Sequence, residues 1–193
     1  MKYCLPILVF VCSCSVLNMD DYSTERYRVY DVILQREFPW PLFSHILIAD
    51  ETIQGPSFDK YLLRSNDSVK VRIGDLRLLE MEWEKFSSEK FYNDYSIRNV
   101  KTYPLDADLL HPFRHIETVS MRDSNTASYF RHGPNTNAIV YWFSMPSFNK
   151  DYTECVVYYQ YFCGSSCGEG VWCWLQKKGN DWEILRRYQV WYS

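Results

Sequence analysis

The sequence predicts an α+β protein in which N-terminal helices pack on a mainly antiparallel C-terminal β-meander. Three observations carry that expectation. Residues 26–37 space their apolar side chains by three and four, the period of a helix with one buried face. The stretch from Phe148 to the C-terminus holds three aromatic, strand-like runs, Glu154–Phe162, Val171–Gln176 and Trp182–Tyr192. Turn signals separate them: Asn149-Lys150-Asp151 before the first, a Cys-Gly-rich tip at 163–170, and Lys178-Gly179-Asn180-Asp181. Finally, 193 residues are enough for one domain that buries on the order of 70% of its unfolded surface.

Taken in order, residues 1–13 read as a signal peptide. Lys2 precedes the apolar run Leu5–Val11, which is too short to span a bilayer and ends among small residues. Val11-Cys12-Ser13-Cys14 resembles the lipobox of bacterial lipoproteins, with Cys12 and an initial Val as departures from the usual pattern. That resemblance makes Cys14 the expected lipidation site and the membrane a partner through an N-terminal lipid anchor. An ordinary cleaved signal peptide is the competing expectation. Stable anchoring takes more than one acyl chain, because each buried methylene contributes only about 0.8 kcal/mol.

Residues 14–24 form a polar linker, and residues 25–193 the single α+β domain. The first helix ends at Phe38-Pro39-Trp40-Pro41, since proline disfavours helical geometry in the residue before it. His45–Asp50 is a continuous apolar run and reads as a buried strand. Leu76–Phe86 is ambiguous, since Leu79, Met81 and Trp83 alternate with Glu80, Glu82 and Glu84 as a strand would. Its length and strong helix formers favour a helix, on which the three glutamates spread as a solvated face instead of an acid–base pair. Ser87 or Ser88 caps a further helix through Phe91, Tyr95 and Ile97. Ile116–Met121 and Ala138–Phe143 complete the strand-like runs. In the Glu154–Phe162 run both faces are apolar, so a sheet built from it needs cover on both sides, by helices, by curling or by another protein.

Composition narrows the function classes. Aromatic residues make up 18% of the chain, and the net charge is −3 with both signs interspersed. Nothing supplies the basic face that phosphates require, so nucleic acid is not an expected partner. No phosphate-cradling glycine loop and no Gly-x-Ser-x-Gly appears. Neither a cofactor nor a metal is implied.

Removal of Cys4 and Cys12 and use of Cys14 leave Cys155, Cys163, Cys167 and Cys173, an even set that suits disulfides in an exported protein. If Cys163 opposes Cys167 in the hairpin, Cys155 faces Leu175 and Cys173 faces Val157. Cys155 and Cys173 are then diagonal neighbours about 7–8 Å apart, at or beyond disulfide reach. A slipped register sets Cys155 against Cys173 and moves Cys163 into the turn, and a bulge at the tip reconciles both pairs. The structural disulfide Cys163–Cys167 is the first expectation and Cys155–Cys173 the second candidate, contributing about 2 and 3 kcal/mol in the loop-entropy model. Zinc is a rival reading, but only Cys163 and Cys167 form a close ligand pair. Thiol redox chemistry is another, although its usual motif places two residues between cysteines at a helix N-terminus.

The histidines offer weaker constellations. His111 and His115 share a helical spacing that Pro112 disrupts, with Glu117 nearby in sequence; His45 and His132 have no evident partner. A pairing of Cys163 or Cys167 with a histidine would make a nucleophile, since such partners need not be close in sequence.

The pattern Cys163-Gly164-x-x-Cys167-Gly168-x-Gly170 between aromatic strands, then Leu175-x-Lys177-Lys178, Trp182-x-Ile184 and a final Trp191-Tyr192-Ser193, resembles a family of uncharacterised exported bacterial proteins. The tyrosine-rich first helix, Asp50-x-Thr52 and Phe91–Asn99 extend the likeness over most of the mature chain. The resemblance implies an envelope location and supplies no catalytic residues; Cys155 and Cys173 lie outside its motif. Two functional expectations result. One is a non-catalytic envelope lipoprotein or secreted protein that binds an unknown envelope protein or ligand through its aromatic surface. The other is a hydrolase or thiol-dependent enzyme using Cys163 or Cys167 with a histidine.

Overall fold

A computed structural model describes residues 19–37, 45–54, 89–110, 116–120, 138–164 and 167–192. The predicted signal peptide, Cys14, the helix expected at 76–86, and His111, His115 and His132 lie outside the described residues. The elements are α1 (Met19–Glu37), β1 (His45–Ala49), α2 (Glu89–Arg98), a short 3-10 turn (Ala107–Leu109), β2 (Ile116–Val119), β3 (Ala138–Phe143), β4 (Ser147–Phe148), β5 (Glu154–Gly164), β6 (Cys167–Lys178) and β7 (Asp181–Tyr192).

The strands form one mixed, mostly antiparallel sheet in the order β2-β1-β3-β5-β6-β7, with β4 also paired to β5. This corrects the expected architecture, because the sheet is more than a C-terminal meander. β1 runs parallel to both β2 and β3, and only from β3 onward is the pairing antiparallel. Strand dominates the described chain, and α2 follows β1, so the helices are not grouped ahead of the sheet. The continuous apolar run Ile46–Ala49 suits the interior position of β1, where both faces are buried.

α1 starts at Met19, inside the segment read as a linker, and Tyr22 already packs edge-on against Phe148. Its buried residues Tyr27, Val29, Tyr30, Ile33 and Leu34 follow helical spacing and join one core with Tyr141, Phe143, Cys155, Val157, Tyr159, Val171, Cys173 and Leu175. Burying a side chain such as Ile33 contributes about 1.5–3 kcal/mol, so this face holds α1 in place. α2 serves the opposite face. Phe91 and Tyr95, one helical turn apart, join Val156, Tyr158, Trp172 and Tyr188. A third cluster on that second face contains Leu47, Ala49, Ala138, Val140 and Trp142.

Glu25 pins α1 to the β6–β7 turn region, accepting hydrogen bonds from Lys177 Nζ (2.8 Å) and Trp182 Nε1 (2.7 Å). Burial alone would raise its pKa. The hydrogen bonds from Lys177 and Trp182, with the charges of Lys177 and Arg28, outweigh that effect and hold the carboxyl below its usual range.

Both helices also meet at a break between β3 and β4. The two strands share one edge of β5 but differ by one residue in register, so Ser144-Met145-Pro146 forms a bulge. Ser144 N–H donates to Tyr158 O (2.8 Å), and the Ser144 hydroxyl accepts from Tyr158 N–H (2.9 Å). That substitution releases Ser144 C=O to accept from Tyr30 of α1 (2.9 Å). Asn99, just beyond α2, accepts from Met145 N–H (2.8 Å) and donates to Met145 C=O (3.0 Å). Pro146 has no N–H, and its C=O accepts from Tyr22 (2.7 Å). Every backbone polar group of the bulge is therefore satisfied.

Candidate functional site

The hairpin tip and the sheet beyond the last turn of α1 carry the most concentrated chemistry among the described residues. β5 and β6 pair with Cys155 opposite Leu175 and Val157 opposite Cys173, the first of the two registers considered. The ladder shifts between Phe162 and Gly164, so Gly164 pairs with Cys167 and Cys163 is the extra residue. Gly164 has φ of +152°, a conformation that only glycine adopts readily. Cys163 and Cys167 form a disulfide with Cα atoms 5.1 Å apart. Cys155 and Cys173 are buried free thiols, so the second candidate pair is not bridged. Their diagonal placement accounts for it. Burial pushes both thiols up in pKa, which keeps them protonated and poor nucleophiles.

Next to the tip lies a polar and aromatic shelf. Arg187 on β7 uses a single nitrogen, Nη2, to reach Glu37 Oε2 (2.7 Å), Glu169 Oε2 (3.4 Å) and the Tyr159 hydroxyl (3.1 Å). Tyr159 in turn donates to Glu37 Oε2 (3.0 Å), and Tyr161 donates to Glu169 Oε2 (3.1 Å). Gln189 Nε2 donates to Glu169 Oε1 (2.8 Å). The Tyr141 and Tyr161 rings lie beside each other, with centroids 5.6 Å apart. The side chains of Glu37 and Glu169 are 12% and 15% exposed, whereas Arg187 is 40% exposed and opens the shelf to solvent.

Electrostatics follow from this half-burial. Desolvation raises the Glu37 pKa above its ordinary value, although Arg187 and the Tyr159 hydrogen bond oppose the rise. Tyr161 is pushed up to about 12, first by burial and then by the charge of Glu169. Burial would lower the pKa of Arg187, but Tyr159, Glu37 and Glu169 more than reverse that, so its guanidinium stays charged. The shelf thus has one firmly held cation between two carboxylates.

β7 reaches this arrangement through two ladder shifts against β6, one near Leu185 and one near Val190. Trp182 and Ile184 face α1. Strict alternation would bring Arg186 and Tyr188 to that same face. The extra residue at Leu185 reverses the phase, so Arg187 turns toward Tyr159 while Tyr188 packs with Trp172 on the opposite face. The second shift brings Trp191 to that opposite face, where its Nε1 donates to the Tyr158 hydroxyl (2.9 Å). Gly170 makes this crossing possible, because a Cβ there would collide with the Trp191 indole and the Tyr158 hydroxyl. The Gly170 and Trp191 of the sequence pattern are thus direct structural partners.

Of the residues singled out from sequence, His45 opens β1 with an exposed side chain, and Glu117 sits exposed in β2. Neither is part of the shelf. Among the described residues, no group of three or more His, Cys, Asp or Glu side chains could hold a metal ion. No described helix is long and apolar enough to cross a membrane. Protein-family models, curated proteins and solved structures yield no match to this chain.

Sequence reading passed over Glu37, Glu169, Arg187 and Gln189. A weak signal was present: Glu169 and the Arg187-x-Gln189 spacing interrupt runs that are otherwise apolar or aromatic. The phase reversal in β7 hid their common face.

Proposed function

We propose that the protein is a non-catalytic binding module of the cell envelope, exported by residues 1–13 and anchored through lipid on Cys14. Within this reading the helices of the N-terminal half serve to cover the sheet, and the shelf around Arg187 engages the ligand or partner. The observation that carries it is the half-open shelf, where the exposed Arg187 and Gln189 stand beside two mostly buried carboxylates and the half-buried Tyr161. The alternative thiol enzyme needs a thiolate at Cys163 or Cys167, and the two sulfurs are joined to each other. The remaining described thiols, Cys155 and Cys173, are fully buried.

A photoreactive residue at Gln189, on the rim of the shelf, tests the recognition surface in the native envelope. Position Asp151, in the exposed turn before β5, is the control. A discrete adduct from 189 and none from 151 is the expected result; equal labelling at both, or none at either, would remove the shelf from the proposal. Intact mass of the native protein should show an acylated N-terminus at Cys14. A mature N-terminus without added lipid mass on Cys14 would refute the lipid anchor and leave the binding surface untouched.

A further inference from the structure

We infer that the shelf binds a neutral saccharide, an assignment of ligand class that rests on the binding reading above. The argument begins with the hydrogen-bonding capacity left unused. Among the described residues Arg187 engages partners through Nη2 alone, and no hydrogen bond leaves its Nε or Nη1. Glu37 receives Tyr159 and Arg187 on Oε2, and no described donor reaches its Oε1. Unused N–H donors on the exposed Arg187 therefore stand beside a mostly buried carboxylate that has one oxygen without a described partner. Each hydroxyl of a sugar ring both donates and accepts, so neighbouring hydroxyls can satisfy the two together. Hydrogen bonds with one ionised partner are the stronger kind, which lets uncharged hydroxyls compete with water there.

Charge selects against the other ligand classes. An anion approaching Arg187 meets Glu37 and Glu169, both already in contact with the guanidinium. A cation approaching either carboxylate meets Arg187. A neutral polyol suffers neither repulsion. Tyr161 adds the apolar element, as a half-buried ring beside Tyr141 that can take the C–H face of a pyranose. Gln189, exposed on β7 and held by Glu169, contributes a planar amide at the rim.

The test is NMR titration of the folded, full mature chain. The probes are neutral hexose and N-acetylhexosamine oligosaccharides, matched sulfated and uronic-acid oligosaccharides, and an oligolysine peptide. At least one neutral oligosaccharide should bind and shift resonances of Tyr161 and Gln189. Affinity should fall at least tenfold in Arg187→Ala and in Glu37→Gln, and about threefold in Gln189→Ala, a rim substitution with little bearing on folding. Thermal melts of each variant separate lost binding from lost structure. Tighter binding of the anionic sugars or of oligolysine would overturn the assignment, as would neutral binding that survives Arg187→Ala. Failure of every neutral oligosaccharide, with labelling from position 189 intact, would discard the saccharide and keep the binding surface. Loss of that labelling as well would discard both.

Discussion

The bulge at residues 144–146 and the shelf beside the hairpin tip both depart from regular β-structure, and they resolve their polar groups in opposite ways. At the bulge, Tyr22, Tyr30, Asn99, the Ser144 hydroxyl and the Tyr158 carbonyl account for each backbone donor and acceptor. Asn99 and Ser144 are themselves buried. At the shelf, the described contacts of Arg187 all run through Nη2 and those of the Glu37 carboxylate through Oε2, which leaves Arg187 Nε and Nη1 and Glu37 Oε1 without a described partner. A closed polar network fixes the position of elements, here the two helices against the sheet. An open one on the same rigid scaffold is available for recognition.

The comparison can be broken most forcefully at Asn99. Asn99→Ala leaves the buried Met145 N–H without its partner and its C=O with only the Ser144 hydroxyl at 3.5 Å, and a buried unsatisfied group costs about 1–3 kcal/mol. Urea unfolding should show a loss of about 3 kcal/mol, while Gln189→Ala at the shelf should cost less than about 0.5 kcal/mol. Equal losses would erase the distinction between the two regions.

Gly170→Ala comes next. The added methyl enters the space of the Trp191 indole and the Tyr158 hydroxyl. Overpacking of this kind costs about 1–3 kcal/mol, and the change in Trp191 environment should be visible in near-ultraviolet circular dichroism. An unchanged spectrum and melting temperature would show that the Trp191–Tyr158 contact does not fix the end of β7.

Replacing Cys163 and Cys167 together by serine should lower stability by about 2 kcal/mol in the loop-entropy model, a shift of several degrees in Tm. Non-reducing peptide mapping should link the two residues directly. Cys155 and Cys173 should resist alkylation in the native protein and react only after denaturation. Native alkylation at 163 and 167 would return the tip to consideration as a thiol site.

The smallest effect is one of pH, and the two glutamates on α1 should differ in sign. Carboxyl NMR titration should place Glu25 below the ordinary glutamate range and Glu37 above it, following their opposite shifts. The contribution of Glu25 is full above its unfolded pKa and is lost as pH falls through its lower folded value. Glu37 favours the fold at low pH, and that preference disappears as pH rises from its unfolded value through the higher folded one. Coincident titrations would remove the electrostatic contrast between the pinned and open regions.

Much of the secondary structure was legible. Helical spacing located the core face of α1, and turn signals located β5, β6 and β7, because local backbone preference and side-chain alternation agree there. The doubly apolar character of β5 foretold cover on both faces, which α1 and α2 help to supply. The parallel pairing of β1 with β2 and β3 was not legible, since a short apolar strand carries no mark of its neighbours' direction. Nor was the shelf. Its members come from the end of α1 and from four strands, and the meeting of Arg187 with the rest depends on the bulge at Leu185.

The sequence by itself determined which segments would form α1 and the three long strands, and that the Cys163–Cys167 spacing suits a hairpin tip. These properties are written in local periodicity and spacing. Only the tertiary structure decided that Cys155 and Cys173 remain apart, that Gly170 makes room for Trp191, and that Arg187 stands between Glu37 and Glu169. The physical reason is register: a single extra residue in a strand reverses which face every later side chain presents, and no local pattern announces it.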